Sequence, residues 1–228
     1  MAKLKHLLVG SIGALVDTSE IQREAYNNAF KEVGLNWHWD QNNYRQLLEM
    51  SGGQKRLRLL SQVTGQKLDD DRIAKIHELK TNMACEMIEK RKPQIRPLTK
   101  QLLELADEHG LSTSFVTSTS QQNVTAILKA SNLEDRFKVT VTNSDINEGK
   151  PSPEPYQKAL ELLKTSSEAC LAIEDSSKSA ISAKKANIQV IAYPGENNQD
   201  QFFDFCEHIF YANDKIDIHS IKNKFELS

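Results

Sequence analysis

The sequence has few cysteines, and they are far apart. Only three occur in 228 residues, and neither an odd number nor such spacing suits a disulfide framework or a zinc site. We therefore expect Cys85, Cys170 and Cys206 to be reduced and partly buried.

The chain also lacks an excess of charge of either sign. Lysine and arginine total 29 against 31 aspartate and glutamate residues, which leaves a formal net charge of -2. Such a balance gives no support for binding to nucleic acid or to a membrane surface. We expect neither as a partner.

Long hydrophobic runs are missing as well. The apolar stretch 7–16 follows Lys3 and Lys5 and so begins like a signal peptide, but it continues directly into Asp17 without a small-residue cleavage site. No other stretch approaches the roughly 18 apolar residues that a membrane-spanning helix requires. We therefore interpret this stretch as a buried first strand and expect a cytoplasmic protein.

Hydrophobic periodicity divides the chain into two kinds of region. Residues 18–92 show helical periodicity without a strand. After Pro93 and Pro97, helical segments alternate with strand-like ones, namely LSTSFVT, FKVTVTN, CLAIED, IQVIAYP and HIFYAND. This alternation predicts an α/β fold with a Rossmann-like parallel sheet. Residues 1–17 and 93–228 would form that core, and residues 18–92 an inserted α-helical cap.

Ligands of open parallel sheets bind at the carboxyl ends of the strands. Four segments are expected at that edge: GSIGA at 10–14, TS at 117–118, EGKP at 148–151 and EDSS at 174–177. Their hydroxyls, lysine and paired carboxylates could together serve a phosphate and a divalent cation. Two other interpretations stay open, because hydroxyls after strands often cap turns and KPSPEP could simply begin a helix.

Ordered motifs cover nearly the whole chain: LVDTSEIQREAYNNAF, GLNWHWDQNNYRQLLEMSGG, FVTSTS, GKPSPEPY and IEDSSKSAISAKKA. In this order they resemble the haloacid dehalogenase-like (HAD) superfamily, specifically its β-phosphoglucomutase and CbbY-like branch. In that family the first strand ends in D-x-D-G-T. The resemblance implies that the first aspartate attacks phosphorus, that the second acts as general acid/base, and that magnesium neutralises charge.

The first motif of this chain departs from that pattern. Gly10 and Ile12 occupy the nucleophile and acid/base positions, Ala14 replaces the usual threonine, and Gly13 alone is retained. Asp17 is a poor substitute, because it lies in a segment where the family also has an aspartate and because transfer requires nearly in-line geometry. The comparison implies that no catalytic residue is intact.

Other site positions match the family. The resemblance assigns phosphate binding to Thr117, Ser118 and Lys150, and a vestigial metal site to Asp175 and Glu174, with Asp175 the more direct ligand.

The cap and its surroundings have also changed. Arg56 aligns with a cap arginine that contacts substrate in relatives, whereas Gln22 and Gln54 stand where relatives have histidine and lysine. In the core, Ser179 replaces a usual glycine. The differences at Gln22 and Gln54 weaken any transfer of the relatives' substrate specificity.

The favoured interpretation is a pseudoenzyme that binds a phosphorylated small molecule or an unidentified protein partner. The alternative is an active HAD-like hydrolase that acts on a sugar phosphate by an atypical mechanism, and a third is a purely structural interaction module. No cofactor is expected, and any binding of magnesium is expected to be weak. With both aspartates missing, Lys150 is expected to face an anion without a competing first-strand carboxylate. Phosphate would then bind without magnesium, with Arg56 closing from the cap.

Overall fold

The computed structural model describes residues 3–48, 50, 52–211, 214 and 221–223. The chain divides into two compact units. One comprises Met1–Asp17 with Pro93–Ser228, and the other comprises Thr18–Lys92. We refer to these units as the core and the cap.

The core is built on a parallel sheet. Its strands among the described residues are β1 (His6–Val9), β2 (Ser112–Val116), β3 (Val139–Val141), β4 (Cys170–Glu174), β5 (Gln189–Ala192) and β6 (His208–Ile209). Their order across the sheet is β3-β2-β1-β4-β5-β6, and every pairing is parallel. The predicted parallel α/β fold is therefore confirmed.

Strand β1 lies at the centre of this sheet. Val9 is opposite Phe115 of β2 on one side and Ile173 of β4 on the other. All four residues of β1 are buried, as is typical of a parallel strand covered on both faces. The segments that follow β1, β2 and β4 therefore emerge side by side at one edge of the sheet.

Helices connect the strands and form the cap. In chain order they are α1 (Ile12–Leu15), α2 (Ser19–Glu32), α3 (Gln41–Leu48), α4 (Gly53–Val63), α5 (Asp70–Arg91), α6 (Pro97–Glu108), α7 (Gln121–Ala130), α8 (Glu154–Leu163) and α9 (Ser177–Lys185). Helices α2 to α5 belong to the cap and the others to the core. The single turn of α1 begins almost directly after β1 and was not predicted.

An aromatic cluster forms the hydrophobic centre of the cap. The Trp39 ring lies 4.5 Å from the Tyr26 ring and 5.0 Å from the Phe30 ring, measured between centroids. Trp37 packs edge-on against Phe30 at 5.5 Å. These large side chains allow a small helical unit to bury a sizeable apolar surface.

Two expectations drawn from the composition, on the cysteines and on membrane-spanning helices, can be compared with the described residues. No disulfide joins the three cysteines; Cys85 and Cys170 are buried and Cys206 is partly buried. None of the helices described here has the length and apolar character needed to cross a membrane.

Candidate functional site

The order of the strands brings the predicted site segments together. Gly10 follows β1, Thr117 follows β2, and Asp175 follows β4, while β1 is paired with both of the other strands. The amide of Gly10 donates to the Ile173 carbonyl at 2.9 Å, which continues the pairing beyond the end of β1. Lys150 reaches the same edge from the segment between β3 and α8.

The ammonium of Lys150 is enclosed by protein oxygens. It donates to the carbonyl of Gly10, to the carbonyl of Val116 at 2.8 Å and to Glu174 Oε1 at 2.6 Å. An ammonium has three hydrogens to donate, so each has an acceptor here. The sequence predicted no competing carboxylate from the first strand, but it did not predict that Glu174 of β4 supplies one to Lys150.

Glu174 is fully buried and is held from two directions. Its Oε1 accepts from Lys150 and also from the Tyr156 hydroxyl, which lies 2.6 Å away. Burial raises the pKa of the Glu174 carboxyl, and the charge of Lys150 opposes that shift. Burial and the Glu174 charge raise the pKa of Tyr156 well above its ordinary value, so the phenol remains a hydrogen-bond donor.

The position of the missing nucleophile has no room for a side chain. A Cβ atom built on Gly10 would lie within 3.0 Å of the Tyr156 hydroxyl and of the Glu174 carboxyl, closer than real Cβ atoms come. Ile12, at the acid/base position, begins α1 and is half-buried. Neither residue brings an ionisable group to the end of β1.

Asp175 is bound to the first loop rather than left open. The Ser11 hydroxyl donates to Asp175 Oδ1 at 2.6 Å and accepts from the Ala14 amide at 3.0 Å, which caps α1. The other carboxylate oxygen, Oδ2, packs against Gly13, where a Cβ atom would overlap it. The retained glycine of the first motif therefore makes room for Asp175.

The hydroxyl groups after β2 differ in exposure. Thr117 is buried, but Ser118 and Thr119 are half-buried. Thr117 Oγ1 accepts from the Thr119 amide at 3.2 Å, and Ser118 Oγ accepts from the Lys150 amide at 2.9 Å. No acceptor for either hydroxyl hydrogen occurs among the described residues, so both can be donated to a ligand.

Sequence reasoning missed Arg96, which anchors the first loop. The buried guanidinium donates to the carbonyls of Gly13 at 2.9 Å, Tyr193 at 2.6 Å and Pro194 at 2.8 Å. It also lies over the Tyr193 ring, 3.6 Å from its centroid. Arg96 thereby ties the loop after β1 to the segment after β5, and no sequence motif marks it for that role.

In the cap, Arg56 is already engaged within its own unit. Its Nε donates to the carbonyls of Leu47 at 2.8 Å and Met50 at 2.9 Å. The same unit buries Lys80, whose ammonium lies 4.7 Å from the centroid of the Tyr26 ring. Burial, reinforced by the charge of Arg56, lowers the pKa of Lys80 to about 7. The sequence did not single out Lys80.

Two of the four carboxylate oxygens of Glu174 and Asp175 are already engaged within the protein, which leaves few ligands for a magnesium ion. Magnesium requires nearly octahedral oxygen coordination and usually one or two carboxylates. Glu174 Oε1 and Asp175 Oδ1 already accept from Lys150 and Ser11, and Glu174 Oε2 is buried without a partner in the described part of the chain. Within that part, no group of three or more acidic, histidine or cysteine side chains could hold a metal.

The chain is similar to known proteins over most of its length. The family described as "Haloacid dehalogenase-like hydrolase" matches residues 13–193. The chain is 32% identical to Protein CbbY of Rhodobacter capsulatus over 204 residues, covering 88% of this chain and 90% of the relative. The resemblance to the CbbY-like branch is therefore confirmed.

Solved structures of CbbY from Rhodobacter sphaeroides have the same fold. One, in complex with phosphate, is 28% identical with a TM-score of 0.83. The other is a variant with one aspartate replaced by asparagine, in complex with xylulose-(1,5)-bisphosphate, and is 28% identical with a TM-score of 0.82. Each comparison covers 91% of this chain and 93% of the other.

Proposed function

We propose that this chain, which belongs to the haloacid dehalogenase-like hydrolase family, is a member without phosphoryl-transfer activity that binds a phosphorylated small molecule. The proposed site is the edge of the sheet where Thr117, Ser118 and Lys150 meet. The proposed ligand class is a sugar phosphate.

The observation that carries the proposal is the structure at the end of β1. Covalent phosphoryl transfer requires a carboxylate that attacks phosphorus, and leaving-group protonation requires a positioned acid. Gly10 and Ile12 supply neither group, and Tyr156 and Glu174 occupy the space beside Gly10. Asp175 accepts a hydrogen bond from Ser11 and replaces neither the nucleophile nor the general acid.

Binding of a phosphorylated ligand is supported by the groups that remain. Ser118 is half-buried, and its hydroxyl lies beside the backbone of Lys150. A phosphate there would accept hydrogen bonds from Thr117 and Ser118, with Lys150 contributing positive charge that Glu174 partly offsets. A CbbY variant with one aspartate replaced also holds a sugar bisphosphate, which supports the same ligand class for this chain.

One observation favours a second candidate function, an active hydrolase with an atypical mechanism. The Ser11 hydroxyl and Asp175 Oδ1 are 2.6 Å apart, which is the distance expected between a hydroxyl nucleophile and a carboxylate base. The same hydroxyl caps α1, and that structural role accounts for its position without catalysis. We therefore place this candidate second.

The test is calorimetry with inorganic phosphate and a panel of sugar phosphates, run once with EDTA and once with magnesium. We expect saturable binding that Thr117→Val weakens by roughly 10- to 150-fold, since a hydrogen bond to a charged group contributes about 1.5–3 kcal/mol. Thr125→Val is the matched control, because Thr125 is exposed on α7 and should leave affinity unchanged.

Each result of this experiment has a distinct meaning. Binding that requires magnesium, or that Thr117→Val leaves unchanged, contradicts the proposed site. The absence of binding by every phosphorylated compound contradicts the ligand class and favours a protein partner.

A further inference from the structure

The space beside Gly10 is filled by two side chains that are themselves fixed. Tyr156 and Glu174 are both fully buried, with 0% of their surface exposed. A Cβ atom on Gly10 would overlap the Tyr156 hydroxyl and both Cδ and Oε1 of Glu174. Because neither side chain borders solvent, even a methyl group at residue 10 requires a shift in the buried core.

Glu174 and Tyr156 also belong to the network of polar contacts around Lys150. Glu174 Oε1 is the only charged acceptor of the Lys150 ammonium among the described residues, and the Tyr156 hydroxyl donates to that same oxygen. An aspartate at residue 10 would place a second carboxylate against Glu174 in a buried site. Two carboxylates that share such a site repel each other.

We propose that Glu174 and Tyr156 have jointly taken the place of the missing nucleophile. Glu174 serves as the counter-ion of Lys150, and Tyr156 is a positioning residue that holds Glu174 in the space beside Gly10. This inference rests on the proposed function, because it concerns how the site is arranged without its nucleophile. It follows that Gly10→Asp alone does not restore a metal-dependent phosphatase.

A double-mutant cycle tests the proposed packing directly. Gly10→Ala adds one methyl group, and Tyr156→Phe removes the hydroxyl that the methyl group would meet. Gly195→Ala is the matched control, because its added Cβ would meet no atom within 4 Å and the backbone there has a negative φ. Thermal unfolding of these variants, and of Gly10→Ala/Tyr156→Phe, is followed by circular dichroism.

We expect Gly10→Ala to lower the unfolding midpoint by roughly 3–10 °C, the shift that overpacking produces in a chain of this size. Gly195→Ala should change it by less than about 2 °C. Tyr156→Phe should lower the midpoint of the wild type, because a buried hydrogen bond is lost, but should raise that of Gly10→Ala. This reversal of sign is the signature of a shared space.

The inference would be overturned if Tyr156→Phe lowered the unfolding midpoint of the wild type and that of Gly10→Ala by the same amount. It would also be overturned if Gly10→Ala were as stable as the wild type. If Gly10→Ala does not fold, Gly10→Ala/Tyr156→Phe must fold for the inference to stand. Turnover of an aryl phosphate by Gly10→Asp with magnesium, at wild-type stability, would also overturn it. Turnover by the wild type would instead contradict the proposed function and leave the cycle unaffected.

Discussion

The ammonium of Lys150 lies 2.6 Å from the carboxylate of Glu174, and their side chains are 6% and 0% exposed. This buried ion pair joins the segment before α8 to the end of β4, directly beside Gly10, which follows β1. A lysine that the family resemblance assigns to phosphate therefore also has a structural partner. The strand ends are held together by this pair in the absence of a first-strand carboxylate.

Removal of one partner of this pair should be costly. Lys150→Met leaves the Glu174 charge buried and unpaired, and we expect the free energy of unfolding to fall by about 3–5 kcal/mol. Lys158→Met is the control, because Lys158 pairs with Glu161 on the accessible surface and such pairs contribute about 0–1 kcal/mol. Urea unfolding measures both. Equal losses in the two variants would show that the buried pair has no special role.

The contact between Ser11 and Asp175 should stabilise the loop after β1. Ser11→Ala removes the cap of α1 and the hydrogen bond to Asp175, and we expect a loss of about 1–2 kcal/mol. Ser11→Thr keeps the hydroxyl and should recover most of that loss. Chemical denaturation of the three proteins provides the comparison. A Ser11→Ala variant with wild-type stability would contradict this account of the loop.

The wild-type protein should not hold a divalent cation at the strand ends. We expect electron paramagnetic resonance of added Mn²⁺, used as a probe for magnesium, to show the free ion at millimolar concentration. A saturable Mn²⁺ site that Asp175→Ala abolishes, or a six-coordinate ion on Asp175 in a crystal structure, would contradict the expectation.

Lys80 should give the cap a distinctive pH dependence. Burial lowers its pKa to about 7 in the folded protein, whereas the unfolded chain keeps the ordinary value of about 10.4. Above pH 7 the unfolded state therefore binds more protons, and this group makes stability rise with pH by up to about 1.4 kcal/mol per unit. Below pH 7 the lysine is protonated in both states, and its contribution no longer changes.

Thermal unfolding between pH 7.0 and about 8.5 tests this sign. Lys80→Met should remove most of the upward slope, whereas Lys90→Met, at an exposed position of the same helix, should retain it. Burial also raises the pKa of Cys85, Cys170 and Cys206, so these thiols ionise first in the unfolded state and lower stability as the pH approaches about 8.5. All three proteins keep these thiols, so the difference between their slopes reports on Lys80. Identical slopes in all three proteins would show that Lys80 keeps its ordinary pKa.

The sequence predicted the architecture well because the relevant signals are local. Apolar runs such as that of β4 and the change of periodicity after Pro93 identify the sheet, and parallel topology places the ends of β1, β2 and β4 together. Boundaries were less predictable. The single turn of α1 depends on Ser11 as a cap, in a stretch that we interpreted as strand.

The contacts within the site could not be predicted from the sequence. The absence of an aspartate at residue 10 is evident from the motif, but what fills its space depends on packing between distant segments. Lys150 meets the Gly10 carbonyl across 140 positions of the chain, and Arg96 meets the Gly13 carbonyl across 83. Family patterns assign Glu174 to a metal, so they gave no indication that it pairs with Lys150.

The most direct test of the central claim is a turnover assay of the purified wild-type protein with an aryl phosphate and magnesium. Loss of a general acid alone commonly lowers a rate by about 10²–10⁴, and here the covalent nucleophile is missing as well. We predict no hydrolysis above the buffer background. Steady turnover that co-purifies with the protein and is abolished by Asp175→Ala would contradict the account.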